Sequence, residues 1–198
     1  MRNMLSRNVV SAVVAIVVIT VAFGFAYPLV MTGISQLAFS SQANGSLIKE
    51  NGNVVGSKLA AQQFIGPRYF HERPSAVSYN AMGTSFANLG PTNPDLAKNV
   101  KAAAAAIIKL EGPYNPGLTI HQIPVDAVTT SGSGIDPDIS SAYAALQSRR
   151  IAAERHVPLA TVQKLISQNT TGRSWGFFGE SGVNVLELNL ALDKLGVK

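Results

Sequence analysis

The hydrophobic and polar positions divide the chain into an apolar N-terminal segment and a mixed remainder. No charged residue lies between Arg7 and Lys49, and residues 9–30 are almost wholly apolar. A helix over that stretch would be about 33 Å long, which matches a hydrocarbon core of about 30 Å. Backbone amides in lipid must bond within their own segment. The pattern therefore predicts a transmembrane helix over residues 9–30, extending in its longest form to about residue 39.

A cleaved signal peptide is the alternative interpretation of the same segment. Its basic start fits, and Gly24-Phe25-Ala26 or Ser41-Gln42-Ala43 could serve as a small-residue cleavage site. The apolar run, however, is longer than the roughly 7–15 residues of an ordinary signal-peptide core. The length favours a retained anchor.

The charges that flank the apolar run predict its orientation. Arg2, Arg7 and the α-amino group precede the run, whereas residues 31–48 contain no Lys or Arg. Positively charged flanks stay in the cytoplasm. We therefore expect residues 1–8 in the cytoplasm and residues 40–198 outside it.

Small residues share one face of this predicted helix. At 100° per residue they form a narrow stripe of Ser11, Ala15, Ala22, Ala26 and Gly33. Such a stripe lets a partner helix approach closely, although small residues are also simply common in spanning helices. Pro28 lacks an N–H and crowds the carbonyl of Gly24, so a kink or helix end is predicted there.

The remainder of the chain alternates short strand patterns with amphipathic helix patterns. Strands are predicted at 46–48, 54–55 and 125–128, with Asn51-Gly52 as the turn between the first two. Helices are predicted at 57–64, from the Asn93 cap to Gly112, from Asp136-Pro137 through Leu146, from Pro158 past Ile166, and after the Asn184 cap. Residues 68–93 read as an ordered loop with aromatic anchors. We predict an α+β fold: one N-terminal transmembrane helix and one extracytoplasmic α+β domain with a small sheet.

Composition narrows the possible functions. The net charge of +5 is scattered and not gathered in a basic run, so nucleic acid is not an expected partner. The chain has no cysteine. This excludes thiol catalysis, zinc–thiolate sites and disulfide bonds, so the domain must be held by its own core.

Motifs that carry chemistry are incomplete. His71, His121 and His156 share no ligand spacing. The Gly179-Glu180-Ser181-Gly182 sequence lacks the glycine that a nucleophile elbow needs two residues after its serine. Asp136, Asp138 and Ser140 begin like a calcium loop, but the turn glycine and the final glutamate are missing. No catalytic residue, metal ligand or phosphate-cradling loop is predicted, and no acidic cluster is evident that could select potassium.

Several ordered segments carry a resemblance to a known family. They are Gly45-Ser46-Leu47-Ile48, Tyr69-Phe70-His71, Arg73-Pro74-Ser75-Ala76, Asn88-Leu89-Gly90-Pro91, Val125 to Pro137, and Val183-Asn184-Val185-Leu186-Glu187-Leu188-Asn189. In this order they resemble the C subunit of the bacterial Kdp-type potassium-transporting P-type ATPase, over nearly the whole chain. The pairs Ser148-Arg149 and Ser181-Gly182 depart from the family's usual residues.

The resemblance implies a non-catalytic accessory subunit in the inner membrane. Its expected partners are the lipid bilayer, the potassium-conducting A subunit and the ATP-hydrolysing B subunit. It has no cofactor of its own, since ATP and potassium act at the level of the complex. The implied role is assembly or stability, together with a described action as a catalytic chaperone that raises the ATP affinity of the B subunit. An anchored extracytoplasmic enzyme and a released binding module are the alternatives.

Overall fold

The computed structural model describes residues 2–196 of the 198-residue chain. It consists of two compact units, Met1–Ser46 and Leu47–Lys198. Residues 1, 197 and 198 and the side chains of Arg2, Asn3 and Leu5 lie outside the described part. Two parts of the predictions therefore lie outside it too. One is the pair of charges at Arg2 and the α-amino group, which helped to predict the orientation, and the other is the last two residues of the predicted domain.

The N-terminal unit is a nearly continuous helix. It is formed by α1 (Arg2–Ile19), a π-helical segment (Thr20–Ala26) and α2 (Tyr27–Ala38), and the short helix α3 (Ser40–Ala43) follows. The stretch Ser6–Ala38 is long enough and apolar enough to cross a membrane. It contains residues 9–30 of the predicted span and ends one residue before the longest predicted form.

The helix responds to Pro28 by widening. The prediction allowed a kink or a helix end at Pro28. The helix does not end there but continues to Ala38. The turn before the proline is π-helical, and its Tyr27 N–H donates to the carbonyl oxygen of Ala22. Pro28 has no N–H to give to Gly24, the partner that an α-helical bond would require. The π segment places the change of hydrogen-bond spacing directly before this missing donor.

The second unit begins with a hairpin. Strand β1 (Leu47–Glu50) pairs antiparallel with β2 (Asn53–Ser57), with Glu50 opposite Asn53. The two turn residues Asn51 and Gly52 have φ angles of 50° and 84°. Positive φ at both positions is the geometry for which Asn-Gly is favoured, so the predicted hairpin is confirmed.

The rest of the domain packs helices around a three-stranded antiparallel sheet of order β3-β5-β4. The strands are β3 (Asp138–Ile139), β4 (Thr170–Thr171) and β5 (Gly182–Asn184). The helices are α4 (Pro94–Glu111), a 3₁₀ turn (Ile120–Gln122), α5 (Val125–Val128), α6 (Ser141–Glu154), α7 (Leu159–Gln168) and α8 (Val185–Asp193). The apolar core includes Phe70, Ile139, Tyr143, Ile151, Val162, Val183, Leu188 and Leu192. The predicted α+β class, with one apolar N-terminal helix, is confirmed.

Two predicted elements are wrong. Ser57 is the last residue of β2, and residues 58–64 form turns and coil instead of a helix, with the Ala61 N–H donating to the carbonyl oxygen of Ile135 at 2.9 Å. A helix this short is marginal by itself, and tertiary bonds decide the backbone. Residues 125–128 form helix α5 instead of a strand. Asp126 of α5 accepts bonds from the N–H and hydroxyl of Ser140, at 2.7 and 2.9 Å, which fix this turn.

The helix predicted from Asp136-Pro137 begins four residues later. Ser140 caps α6, because its hydroxyl accepts from the Tyr143 N–H at 3.0 Å. Asp138 and Ile139 are instead used as β3, paired with β5. The helix thus begins after β3, which leaves the sheet intact.

Both predicted asparagine caps are confirmed and can be compared by mutation. Asn184 is 4% exposed; it accepts from the Glu187 N–H and donates to the carbonyl oxygen of Lys58. Asn93 is half-buried and accepts from the Asp95 N–H. We expect Asn184→Ala to lower the free energy of unfolding by about 2 kcal/mol and Asn93→Ala by about 1 kcal/mol.

Denaturant unfolding of the full chain in detergent, followed by circular dichroism, measures both values. An equal or larger loss for Asn93→Ala would contradict the assignment of the larger role to the buried cap.

Candidate functional site

The surface of the spanning helix is the first candidate site. Every residue of Ser6–Ala38 is exposed except Ser35, which is half-buried. The predicted stripe residues are therefore all open to a partner helix or to lipid: Ser11, Ala15, Ala22, Ala26 and Gly33. The described residues include no partner helix and no lipid, so the role of the stripe as a partner-helix face stays a prediction.

The π segment changes which residues of the stripe share one face of the helix. Ser11 and Ala15 lie in α1, Ala22 and Ala26 in the π segment, and Gly33 in α2. A π turn bonds residue i to i+5 and so holds more residues than an α turn. The uniform 100° spacing assumed from sequence does not apply across this segment, and each of the three parts must be tested separately.

A buried guanidinium is the most elaborate polar feature of the domain. Arg150 of α6 is fully buried, and its Nε donates to Oε1 of Glu111 at 2.8 Å. Its Nη2 donates to Oε1 of Gln147 at 2.9 Å. Its Nη1 donates to the carbonyl oxygens of Tyr69, at 2.9 Å, and of Pro67. We call these three side chains, Glu111, Gln147 and Arg150, the Arg150 cluster; it joins α4, α6 and residues 67–71.

Two side-chain amides hold the same segment on either side. Gln147 accepts from the His71 N–H at 2.7 Å and donates to the His71 carbonyl at 3.0 Å. Asn189 of α8 does the same for Phe70, at 2.9 and 3.0 Å. Each amide thus takes the place of a neighbouring strand for one residue. Buried backbone groups need such partners, and here side chains supply them.

Sequence reasoning missed this arrangement. A signal was present, since Gln147 and Arg150 fall at helical spacing from the apolar Tyr143 and Ile151 and so share the buried face of α6. What the spacing could not reveal is that their partner is a backbone segment about 80 residues earlier in the chain. The cluster is occupied by the protein's own backbone, which makes it structural.

Glu72 follows this segment and is an unusual buried acid. It is 5% exposed, and neither carboxylate oxygen has a hydrogen-bond partner. Burial, reinforced by the nearby charge of Asp136, raises the pKa of Glu72 to about 9. The backbone N–H of Gln62 lowers this pKa in part, without completing a well-formed hydrogen bond. An unpaired carboxylate is costly inside a protein, so Glu72 is neutral at pH 7.

An acidic cleft lies beside Glu72, which the sequence did not reveal. Its lining includes the four carboxylates of Asp126, Asp136, Asp138 and Glu180. They are largely engaged within the protein. Asp126 bonds to Ser140, Asp136 pairs with Arg73 at 3.0 Å, and Glu180 pairs with Arg173. Among residues 2–196, no group of three or more acidic or histidine side chains could hold a metal ion.

The three histidines lie in separate places, as their spacing suggested. His71 is half-buried, with its Nε2 at 2.8 Å from the carbonyl oxygen of Gly66, and burial lowers its pKa. His121 and His156 are exposed. Of the incomplete motifs, Asp136 and Asp138 line the acidic cleft, and Gly179 lies in an exposed loop before β5.

These observations define the class of the protein as an α+β protein with a long apolar N-terminal helix that is a candidate membrane span. The described residues hold a long apolar helix and a domain in which most buried polar side chains, Glu72 excepted, bind the domain's own backbone. The particular family follows from comparison with known proteins.

The family model described as "K+-transporting ATPase, c chain" matches residues 9–194. A potassium-transporting ATPase KdpC subunit from Beijerinckia indica is 46% identical over 189 residues, covering 94% of this chain and 93% of that protein. The KdpC subunits of Paraburkholderia phymatum and Acidobacterium capsulatum are 50% and 49% identical, covering 91% and 93% of this chain and 93% and 97% of their own lengths. The chain belongs to the KdpC family of potassium-transporting ATPase subunits.

The state of Glu72 can be tested through the pH dependence of stability. Its pKa is about 9 in the folded protein, against an ordinary value of 4.5. The folded state therefore holds a proton that the unfolded state has lost, and stability falls as pH rises between these two values. The slope can reach about 1.4 kcal/mol per pH unit. We expect Glu72→Gln to remove this slope, so that its advantage over the unmodified protein grows from pH 5 to pH 9.

Unfolding free energies of the full chain at a series of pH values provide the measurement. Glu180→Gln, at a side chain that is 84% exposed, is the matched control and should follow the unmodified protein. A difference between Glu72→Gln and the unmodified protein that stays constant with pH would show that Glu72 is ionised in the fold.

Proposed function

We propose that this chain is the non-catalytic accessory subunit of a high-affinity, ATP-driven potassium uptake complex. In this proposal it supports assembly and stability by binding the potassium-conducting A subunit and the ATP-hydrolysing B subunit. The observation that carries the proposal is the exposed spanning helix. It is an apolar helix of 33 residues, Ser6–Ala38, whose residues are all exposed except the half-buried Ser35.

The small residues of that helix are the proposed contact. Lipid gives no hydrophobic drive for helices to associate, so close packing at small residues has to supply it. A large side chain at the contact would hold the helices apart, and overpacking typically costs about 1–3 kcal/mol. Such a loss weakens a complex without unfolding a separate domain.

We expect Ala22→Leu to reduce recovery of the partner subunits in a detergent pull-down. The variant keeps the helix apolar, so its insertion in the membrane should be unchanged. Ala15→Leu tests the part of the stripe that lies in α1, before the π segment begins. Val17→Leu, at an exposed residue of α1 that lies more than 100° around the helix from Ser11 and Ala15, is the matched control.

Equal recovery for the Ala22, Ala15 and Val17 variants would mean that the small residues reflect composition alone. The outer domain would then carry the association.

The proposed location of the domain bears on its role. We place the N-terminus in the cytoplasm and residues 40–198 outside, because Arg7 precedes the apolar helix and no Lys or Arg follows it before Lys49. A domain on the extracytoplasmic side of the membrane is separated from cytoplasmic ATP. This favours a role in assembly over a direct part in raising the ATP affinity of the B subunit.

Cysteine labelling tests this orientation against a clean background, since the chain has no cysteine. Ser167 in α7 is exposed, so Ser167→Cys should react with an impermeant thiol reagent in intact cells. Met4→Cys, at an exposed residue before the apolar run, should react only after lysis. The opposite pattern would reverse the orientation and restore direct nucleotide binding as the leading role.

A further inference from the structure

The loop of residues 172–180 presents three aromatic side chains to solvent. Trp175, Phe177 and Phe178 are 87%, 63% and 56% exposed. Their rings lie together, with centroids 4.2 Å apart for Phe177 and Phe178 and 6.2 Å apart for Trp175 and Phe178. We call these three residues the aromatic tip. None of them belongs to the core of the domain.

The backbone of the loop is fixed. Ser174 and Phe178 form an isolated antiparallel bridge, and the Ser174 N–H donates to the Phe178 carbonyl at 2.9 Å. Arg173 donates to both carboxylate oxygens of Glu180, at 2.9 and 2.8 Å, across the base of the loop. The aromatic tip is therefore presented on a closed turn and not on a loose end.

The turn also carries strain at its most exposed residue. Trp175 has a φ angle of 53°, a region that bulky side chains rarely adopt, and Gly176 follows with 83°. Holding a residue of this kind there costs on the order of 1 kcal/mol or more. Within the described residues the Trp175 ring lies against Phe178, but it remains 87% exposed, so this contact buries little of its surface. A contact with another molecule would offset the cost of this strained backbone.

We propose that the aromatic tip inserts into the interfacial region of a lipid bilayer, as a second membrane contact of this chain beside the spanning helix. Tryptophan is suited to that region, since it has a large apolar ring and a polar N–H that can stay among the headgroups. The charges of Arg173 and Glu180 cancel in a close pair, so the loop brings no unpaired charge toward the lipid.

The size of the aromatic tip favours lipid over a protein partner. Three aromatic side chains offer at most about 150–250 Å² each. That is less than the roughly 800 Å² that each partner contributes to an ordinary stable protein interface. A bilayer contact needs no such area here, because a chain that already crosses the membrane gains its second contact as an intramolecular step.

The single tryptophan of the chain makes the proposal directly testable. The full chain is placed in phosphatidylcholine nanodiscs, with and without brominated acyl chains, and its fluorescence is recorded. We expect the Trp175 emission to lie at shorter wavelength than that of an exposed tryptophan and to lose intensity in brominated lipid. Because nanodiscs leave both bilayer faces accessible, the result does not depend on the orientation of the chain.

Two variants complete the experiment. Phe177→Ser with Phe178→Ser keeps the reporter and should abolish the quenching by brominated lipid. Phe86→Ser, at a phenylalanine elsewhere in the domain that is 53% exposed, should leave the quenching unchanged. All three positions are exposed, and circular dichroism would verify that each variant folds.

Equal emission in the two lipids would overturn the proposal. So would full quenching in the double phenylalanine variant. Protection of Trp175 that appears only when the other subunits of the complex are added would also overturn it, and would assign the aromatic tip to a protein contact.

Discussion

The domain depends on one constraint, the burial of Arg150. A guanidinium out of water needs a partner for its charge and for its donors, or the fold loses several kcal/mol. Glu111 supplies the charge, and Gln147 and two backbone carbonyls supply acceptors. These partners come from two helices and one loop, so satisfying Arg150 brings the three together. Burial raises the pKa of Glu111 and Arg150 offsets part of that rise, so each charge stabilises the other.

The same constraint explains how a chain without cysteine orders a long irregular segment. Residues 58–93 contain no helix or strand, yet Phe70 is fully buried in the core. The amides of Gln147 and Asn189 replace strand pairing on either side of the Arg150 contacts. Arg155 extends the series, because it donates to the Arg68 carbonyl and lies 4.9 Å from the Tyr69 ring centre. Side chains at α6 and α8 thus hold this irregular segment in place, as disulfide bonds do in many small secreted domains.

The parts of this fold that could be predicted are those with local causes. The apolar helix, the Asn51-Gly52 turn and the Asn93 and Asn184 caps all follow from neighbouring residues. The errors have distant causes: Ala61 is bonded to Ile135, and Asp126 to Ser140. A four-residue apolar run such as 125–128 cannot by itself distinguish strand from helix. The acidic cleft and the Arg150 cluster were missed for the same reason, since each joins residues far apart in sequence.

The distribution of satisfied and unsatisfied groups indicates where the activity of this chain lies. Inside the domain, most buried polar side chains are bonded to the protein's own backbone. On the outside, an apolar helix and three aromatic rings remain exposed. These exposed apolar surfaces are where we expect the chain to meet lipid or the other subunits of its complex.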